Sequence, residues 1–326
     1  MFEVLKEMQL KKVTIFAPAT IANFGPGFDV FGAALESIGD TITAETLPDE
    51  KSEITISHVH GEVSKEADKN SAGISAKAAL KILEDKYKIK TSSVSLSIIK
   101  GIPQGGLGGS AASAVAGAFA VNELFGSRLT RQEIILASVE GEKAVSGYHL
   151  DNIIPCLYGG FLYIKSYEPI KFSKYNPPKN LLCVIANPMI MGYLTKDARR
   201  NIPKKEVVLK TNKKHLVEIL KGLKLGSVKI IGKNIIDEVV EPIRANHIPG
   251  FYDVKNSALN AGAYGSSISG SGPSVFAVTD STEKAKRIST EMRKAFRKNG
   301  MEKVIVMVSR VGRDGAKVIK FKTSSS

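Results

Sequence analysis

Gly101-Ile-Pro-Gln-Gly-Gly-Leu-Gly-Gly-Ser-Ala-Ala-Ser113 packs four glycines, Gly105, Gly106, Gly108 and Gly109, into five positions. A strand-like run, Val94 to Lys100, precedes it, and small residues predict a helix from Ser110 to roughly Phe125. Glycines let a ligand approach the backbone and permit the positive φ angles of a tight loop. Amide groups at the start of the helix, with the positive end of its dipole, then favour an anion such as phosphate. Ser110 offers a hydroxyl that either caps the helix or ligates a phosphate-bound Mg²⁺. The competing reading is a glycine-rich turn that only caps a buried helix. No Gly-Lys-Ser/Thr follows the glycines, which excludes a Walker A loop.

Around this loop lie 326 residues, enough for one large or two medium domains with buried cores. Hydrophobic residues make up 43% of the chain and no apolar run approaches the length of a membrane span, so no membrane partner is expected. Cys156 and Cys183 both fall in apolar runs and read as reduced core thiols, and the N-terminus lacks signal-peptide order. Both features predict a cytoplasmic chain. The net charge is +14, from 46 Lys+Arg against 32 Asp+Glu. The lysines are scattered in ones and twos without interleaved aromatics, which ranks a solvated basic surface first and an anion-attracting cleft second. Nucleic acid comes last, and none is expected as a partner.

In chain order, Lys12 to Pro18 reads as a strand stopped by proline, followed by a turn-rich, charge-poor stretch holding Asn23 and Asp29. Both residues suit turns as well as ligands. Ile42 to Thr46 and Glu53 to His58 alternate like antiparallel strands, and a helix runs from an Asn70 N-cap to Tyr87. A second helix, Arg131 to Val145, is capped by Thr130 and carries Glu133, Glu140 and Glu142. His149, Asp151 and Asn152 then interrupt an apolar run, where polar groups need partners or serve a ligand. Phe161 to Ser166 closes the first half as a strand, and loops lead to a buried strand from Leu181 to Pro188. Thr195 and Arg199 share a face if helical, and Arg244 is by composition an exposed ion-pair partner. Ala263 to Val278 is a second glycine- and serine-rich loop; a helix from Thr282, a strand from Val304 and a frayed tail from Lys320 complete the chain.

The glycine loop resembles the phosphate loop of the GHMP kinases, P-x-x-x-G-L-G-S-S-A-A. Pro103, Gly106, Leu107, Gly108, Ser110, Ala111 and Ala112 match, with the spacing one residue short and Gly109 replacing the first serine. Pro18 to Gly32 is similar to the first motif as homoserine kinases carry it, and Ser269 to Ser274 to the third motif of the superfamily. The His149-x-Asp151-Asn152 block and the segments holding Thr195, Arg199 and Arg244 also resemble homoserine kinase signatures.

That resemblance implies an α+β, two-domain GHMP-kinase-like fold with the active site between the domains. Residues 1–166 would form the ATP-binding domain and 167–326 the C-terminal domain. The implied reaction is ATP-dependent phosphorylation of L-homoserine to O-phospho-L-homoserine in threonine biosynthesis; the alternative is another small-molecule kinase of the superfamily, for mevalonate or shikimate. Pro103, Gly105, Gly106, Leu107, Gly108, Gly109, Ser110, Ala111 and Ala112 would hold the phosphates of ATP, with Asn70 at the adenine. Ser110 and Glu142 would hold Mg²⁺, Glu140 being the alternative carboxylate. Arg199 and Arg244, with Thr195 beside them, would take the substrate carboxylate, and Asp29 its ammonium. Asn23 and His149 would orient the hydroxyl. Asp151 and Asn152 complete the catalytic block, Asp151 as a binding residue whose role as base stays open. Homodimers are common in the family, so a homodimer is expected.

Overall fold

Val13, Ile15, Ala17, Ala19 and Ile21 recur at every second position and are fully buried, the period of a strand with one face on a core. They form the inner face of β1 (Leu10–Ala22). The structure is a computed structural model that describes residues 10–145, 147–190 and 197–323. β1 pairs antiparallel with β2 (Phe31–Thr46) along most of its length. Beyond β2 come β4 (Val94–Ile99) and then β3 (Ile54–His60). β5 (Phe161–Tyr167) pairs with the start of β2 and carries β6 (Ile170–Tyr175) outside it. β11 (Lys317–Thr323) lies on the other side of β1 and completes seven strands.

Four helices accompany this sheet: α1 (Ser71–Asp85), α2 (Gly109–Leu124), α3 (Arg131–Val145) and α4 (Leu150–Tyr158). α2 is apolar on nearly all sides, because helices or strands surround it. Its small residues permit close packing: a Cβ on Gly117 would meet the Ala72 carbonyl oxygen of α1 at 2.3 Å. The second sheet has the order β10 (Ile305–Arg310), β7 (Leu182–Asn187), β9 (Val275–Thr279), β8 (Gly265–Ile268). α8 (Phe251–Asn260) and α9 (Thr282–Lys298) pack on it, while α5 (Lys205–Leu225), α6 (Val228–Lys233) and α7 (Val240–Ala245) follow β7 and precede α8 in the chain.

Several sequence expectations are corrected here. Pro18 does not stop β1, because a register shift between Pro18 and Thr20 absorbs the missing amide and the strand continues to Ala22. β3 pairs with β4 in parallel, with α1 as the crossover, and not antiparallel. β6 occupies a stretch read as loop, and the tail from Lys320 is held in β11 up to Thr323. Thr130 does cap α3, in a reciprocal box: its hydroxyl accepts from the Glu133 amide (3.2 Å) and Glu133 accepts from the Thr130 amide (2.7 Å). Cys156 and Cys183 are buried free thiols, and no helix among the described residues is long and apolar enough to cross a membrane.

Candidate active site

A cleft of about 730 Å³ runs from the glycine loop to the β1–β2 turn, α4 and Arg244. At one end the glycines serve close approach. Gly105, Gly106 and Gly108 have φ of 112°, 84° and 66°. A Cβ on Gly106 would lie 2.2 Å from the Ser269 carbonyl oxygen, and one on Gly108 would lie 2.1 Å from Thr20 Oγ1. The second glycine-serine loop is clamped onto the first: Ser269 Oγ donates to Gly106 O (2.7 Å) and Ser274 Oγ to Gly105 O. Asn187 Nδ2 adds a bond to Gln104 O at 2.6 Å.

The N-cap of α2 is Gly108, so Ser110 lies in the first helical turn and lines the cleft instead of capping. Ala111 and Ala112 do not line it. Both side chains are fully buried, and the Ala112 amide is committed to Gly108 O (2.9 Å). Beneath the loop sits a buried ion pair that sequence reading missed. Lys100 Nζ bonds to Asp40, to Gly109 O (2.9 Å) and to Ser113 Oγ (2.8 Å), while Asp40 Oδ1 accepts the Gly101 and Ile102 amides, both at 3.1 Å.

Glu142 is buried and lines the cleft with Ser110, whereas Glu140 is exposed on α3 and pairs with Lys143 at 3.5 Å. Of the two carboxylates, only Glu142 reaches the cleft. Asn70 also lines it, but as the N-cap of α1 its Oδ1 accepts the Ala72 amide (3.0 Å) and its Nδ2 donates to Ser64 O (2.7 Å). Asn152 Oδ1 accepts from Thr20 Oγ1 at 2.6 Å, immediately under Gly108.

The other end is built from charges. Asn23, Phe24 and Asp29 all have left-handed φ (64°, 42° and 56°), sparsely populated by non-glycine residues. The Asn23 amide fixes this turn: Oδ1 accepts the Asp29 amide (3.0 Å) and Nδ2 donates to Gly270 O (3.2 Å). Asn23 is thus the turn former that its sequence context also allowed. Asp29 does not wait for a ligand alone. Arg199 grips it with two parallel bonds, Nη2 to Oδ1 at 2.8 Å and Nη1 to Oδ2 at 3.1 Å, and Nη2 also lies 3.1 Å from His149 Nδ1.

Arg244 is buried, not exposed as composition suggests, and donates to Ala198 O (3.2 Å) and Gly270 O. Both guanidiniums lie over the Phe28 ring, at 5.6 Å for Arg199 and 5.5 Å for Arg244. Lys205 covers the Tyr167 ring at 4.0 Å, and the Tyr167 hydroxyl donates to Asp29 O. Burial lowers the affinity of Lys205 for its proton. For Asp151, burial first and the Asp29 charge second push the carboxyl up to about 7. The cleft therefore brings together every proposed site residue except Ala111, Ala112 and Thr195, the last of which lies outside the described residues. Phe28, Asp40, Lys100, Tyr167 and Lys205 had no signal in the sequence beyond residue type; only packing assembles them.

Two family patterns match the chain, GHMP kinases N terminal domain over residues 75–160 and GHMP kinases C terminal over 214–298. The chain is 37% identical to the homoserine kinase of Chloroherpeton thalassium, covering 95% of this chain and 100% of that one. With the homoserine kinase of Arabidopsis thaliana the identity is 40%, over 94% and 84%. The crystal structure of homoserine kinase from Cytophaga hutchinsonii superimposes with a TM-score of 0.83 at 39% identity, over 95% and 98% of the two chains.

Proposed function

Because the chain belongs to the homoserine kinases of the GHMP kinase family, we propose that it transfers the γ-phosphoryl group of ATP to the hydroxyl of L-homoserine. The product is O-phospho-L-homoserine, on the route to threonine. One observation in the cleft carries the choice of substrate: a carboxylate, Asp29, and two arginines, Arg199 and Arg244, meet around Phe28 at the end away from the glycine loop. A zwitterionic amino acid presents a cation and an anion to such a set. Mevalonate and shikimate offer only the anion and bring no cation of their own to Asp29.

The chemistry asks mainly for position and charge neutralisation, since the loose transition state of phosphoryl transfer leaves little covalent work to the protein. Amides of the Pro103–Ser110 loop and the start of α2 face the phosphates. Ser110 and Glu142 are hard oxygen donors on the same cleft and fit Mg²⁺, which would supply neutralisation of phosphate charge when bound. Arg199 and Arg244 take the substrate carboxylate and Asp29 its ammonium. His149 and Asn152, beside Arg199 and Gly108 respectively, face the hydroxyl from the two sides of the transfer point. Asn70 borders the nucleotide end. We divide the chain at residues 166/167, supported by the second sheet, which is built wholly from later residues; β6 and β11 return to the first sheet. A homodimer remains part of this reading.

ADP release measured with L-homoserine, mevalonate and shikimate tests the proposal. Turnover is expected with homoserine alone; preference for either of the others would overturn it.

A further inference from the structure

α7 has only six residues, too few to hold a helix in place by its own backbone bonds, yet it carries Arg244 in its last turn. Its placement has to come from its surroundings, and Asp237 gathers its start. Asp237 Oδ1 accepts the Val239 amide (3.0 Å), the Val240 amide (2.9 Å) and Asn212 Nδ2 (2.8 Å), while Oδ2 accepts the Glu241 amide (3.1 Å). Three of the amides that a helix start leaves without intrahelical partners thus go to one side chain. Asn212, on α5 and fully buried, completes its own bonding by accepting the Glu238 amide at 3.0 Å. An apolar side chain would be easier to bury at 212. The amide instead fixes one register of α5 against the 237–241 turn, since it both donates and accepts there.

Val208 lies four residues before Asn212, on the same face of α5. It packs with Phe28 and Val240 in a small apolar cluster apart from the larger cores. Phe28 is the ring that the Arg199 and Arg244 guanidiniums cover. One face of α5 therefore fixes the start of α7 by hydrogen bonds and the floor beneath Arg244 by packing. On the far side of α7, Glu241 is bound by Lys255 of α8 and by the Ser267 hydroxyl of β8 (2.6 Å). Neither Asn212 nor Asp237 is among the described residues that line the cleft.

We propose that Asn212 and Asp237 are positioning residues for the reaction, setting α7 against α5 and through it the place of the Arg244 guanidinium. The inference rests on the reading above that Arg244 takes the substrate's carboxylate. Arg199 is gripped by the side chain of Asp29, whereas Arg244 is seated on the carbonyls of Ala198 and Gly270 and depends on where α7 stands. A guanidinium that is in place before substrate arrives loses less on binding. Loosening the start of α7 lets its last turn shift, and a displacement of about 1 Å in a positioning group costs on the order of 100-fold in rate. A pair that served stability alone would lower the melting temperature and leave the kinetic constants of the folded protein as they were.

Kinetics of full-length variants, checked for folding by circular dichroism, test the pair. Asn212→Ala should lower kcat/KM for homoserine roughly 10- to 100-fold, chiefly through KM, with KM for ATP near its wild-type value. Asp237→Asn keeps the shape and forfeits only the acceptor facing the Glu241 amide. It should lower kcat/KM about 3- to 10-fold, and it gives the reading if Asn212→Ala fails to fold. The deciding measurement places each change in an Arg244→Ala background, where a residue that acts through Arg244 has little left to act on. The further loss there should shrink to less than about 2-fold. Losses of full size in that background, or an unchanged homoserine kcat/KM with only a lowered melting temperature, would overturn the proposal and leave the pair a helix anchor. Mevalonate and shikimate also bring a carboxylate, so the cycle is run on whichever compound wild type phosphorylates. Rejection of homoserine then counts against the substrate assignment, and additivity against the pair.

Discussion

At the glycine-loop end of the cleft, Gly105 and Gly106 give their carbonyls to Ser274 and Ser269, and the clamp is made of neutral hydrogen bonds between two loops. At the other end, Asp29, His149, Asp151, Arg199 and Lys205 crowd together, and Asp29 stands on a turn with left-handed φ angles. In the first region the two loops hold each other before any ligand comes, because the Ser269 and Ser274 hydroxyls bond to backbone carbonyls. In the second, the charges satisfy one another only in part, so it has to rearrange when a ligand adds charges of its own. A kinase for a charged metabolite needs both: a fixed frame for the phosphates, common to every substrate, and a responsive end that chooses among substrates.

The comparison breaks most severely at Asp40, the carboxylate of the ion pair under the neutral loop. Asp40→Ala leaves the partly buried Lys100 without its carboxylate and frees the amides of Gly101 and Ile102. Loss of one partner of such a pair costs about 3–5 kcal/mol, to be read in urea melts; a loss below about 1 kcal/mol, the range of surface pairs, would mean the loop stands without it. Gly106→Ala comes next, since a Cβ at φ 84° collides with Ser269 O. Strain of this kind costs on the order of 1–3 kcal/mol. It should raise KM for ATP while leaving KM for homoserine near its wild-type value, and the opposite pattern would show the two ends are not separable.

Arg199→Lys keeps the charge but loses the fork that grips Asp29. A loss of roughly 1.5–3 kcal/mol, about 10- to 100-fold in homoserine saturation, is expected from one charge-assisted contact, with ATP saturation unaffected. Unchanged homoserine kinetics would mean that Arg199 takes no part in binding the substrate. Ser110→Ala should have the smallest effect, about 3- to 10-fold in kcat/KM at limiting Mg²⁺ on the scale of one hydroxyl contact. Turnover that stays constant as Mg²⁺ is withdrawn would remove Ser110 from the metal site.

The same contrast explains what could be read from sequence. The glycine loop is legible because glycine is the residue that backbone proximity demands, and Gly105 and Gly106 prove to have positive φ against the Ser269–Ser274 loop, Gly108 against Thr20. The charged end was legible only as residue types. Asp29 and Arg199 stand 170 positions apart, and nothing local says that they grip each other. Arg244 read as exposed for the same reason, since burial of an arginine depends on carbonyls, here Ala198 and Gly270, supplied by distant segments. Pro18 misled because proline ends a strand only where no bulge relieves it. The parallel β3–β4 pair and β11 are tertiary choices that alternation alone does not encode.

β11 has a consequence for how the molecule is made. Thr323 pairs with Leu10, and Phe321 with Val13, so the edge of the first sheet is supplied by the last described strand. A nascent chain leaving the ribosome exposes β1 with that flank unpaired through the synthesis of all nine helices that precede β11 among the described residues. The half that holds most of the first sheet is therefore translated first but closed last. During that interval the bare edge of β1 is the place where a chaperone would engage or two nascent chains would adhere.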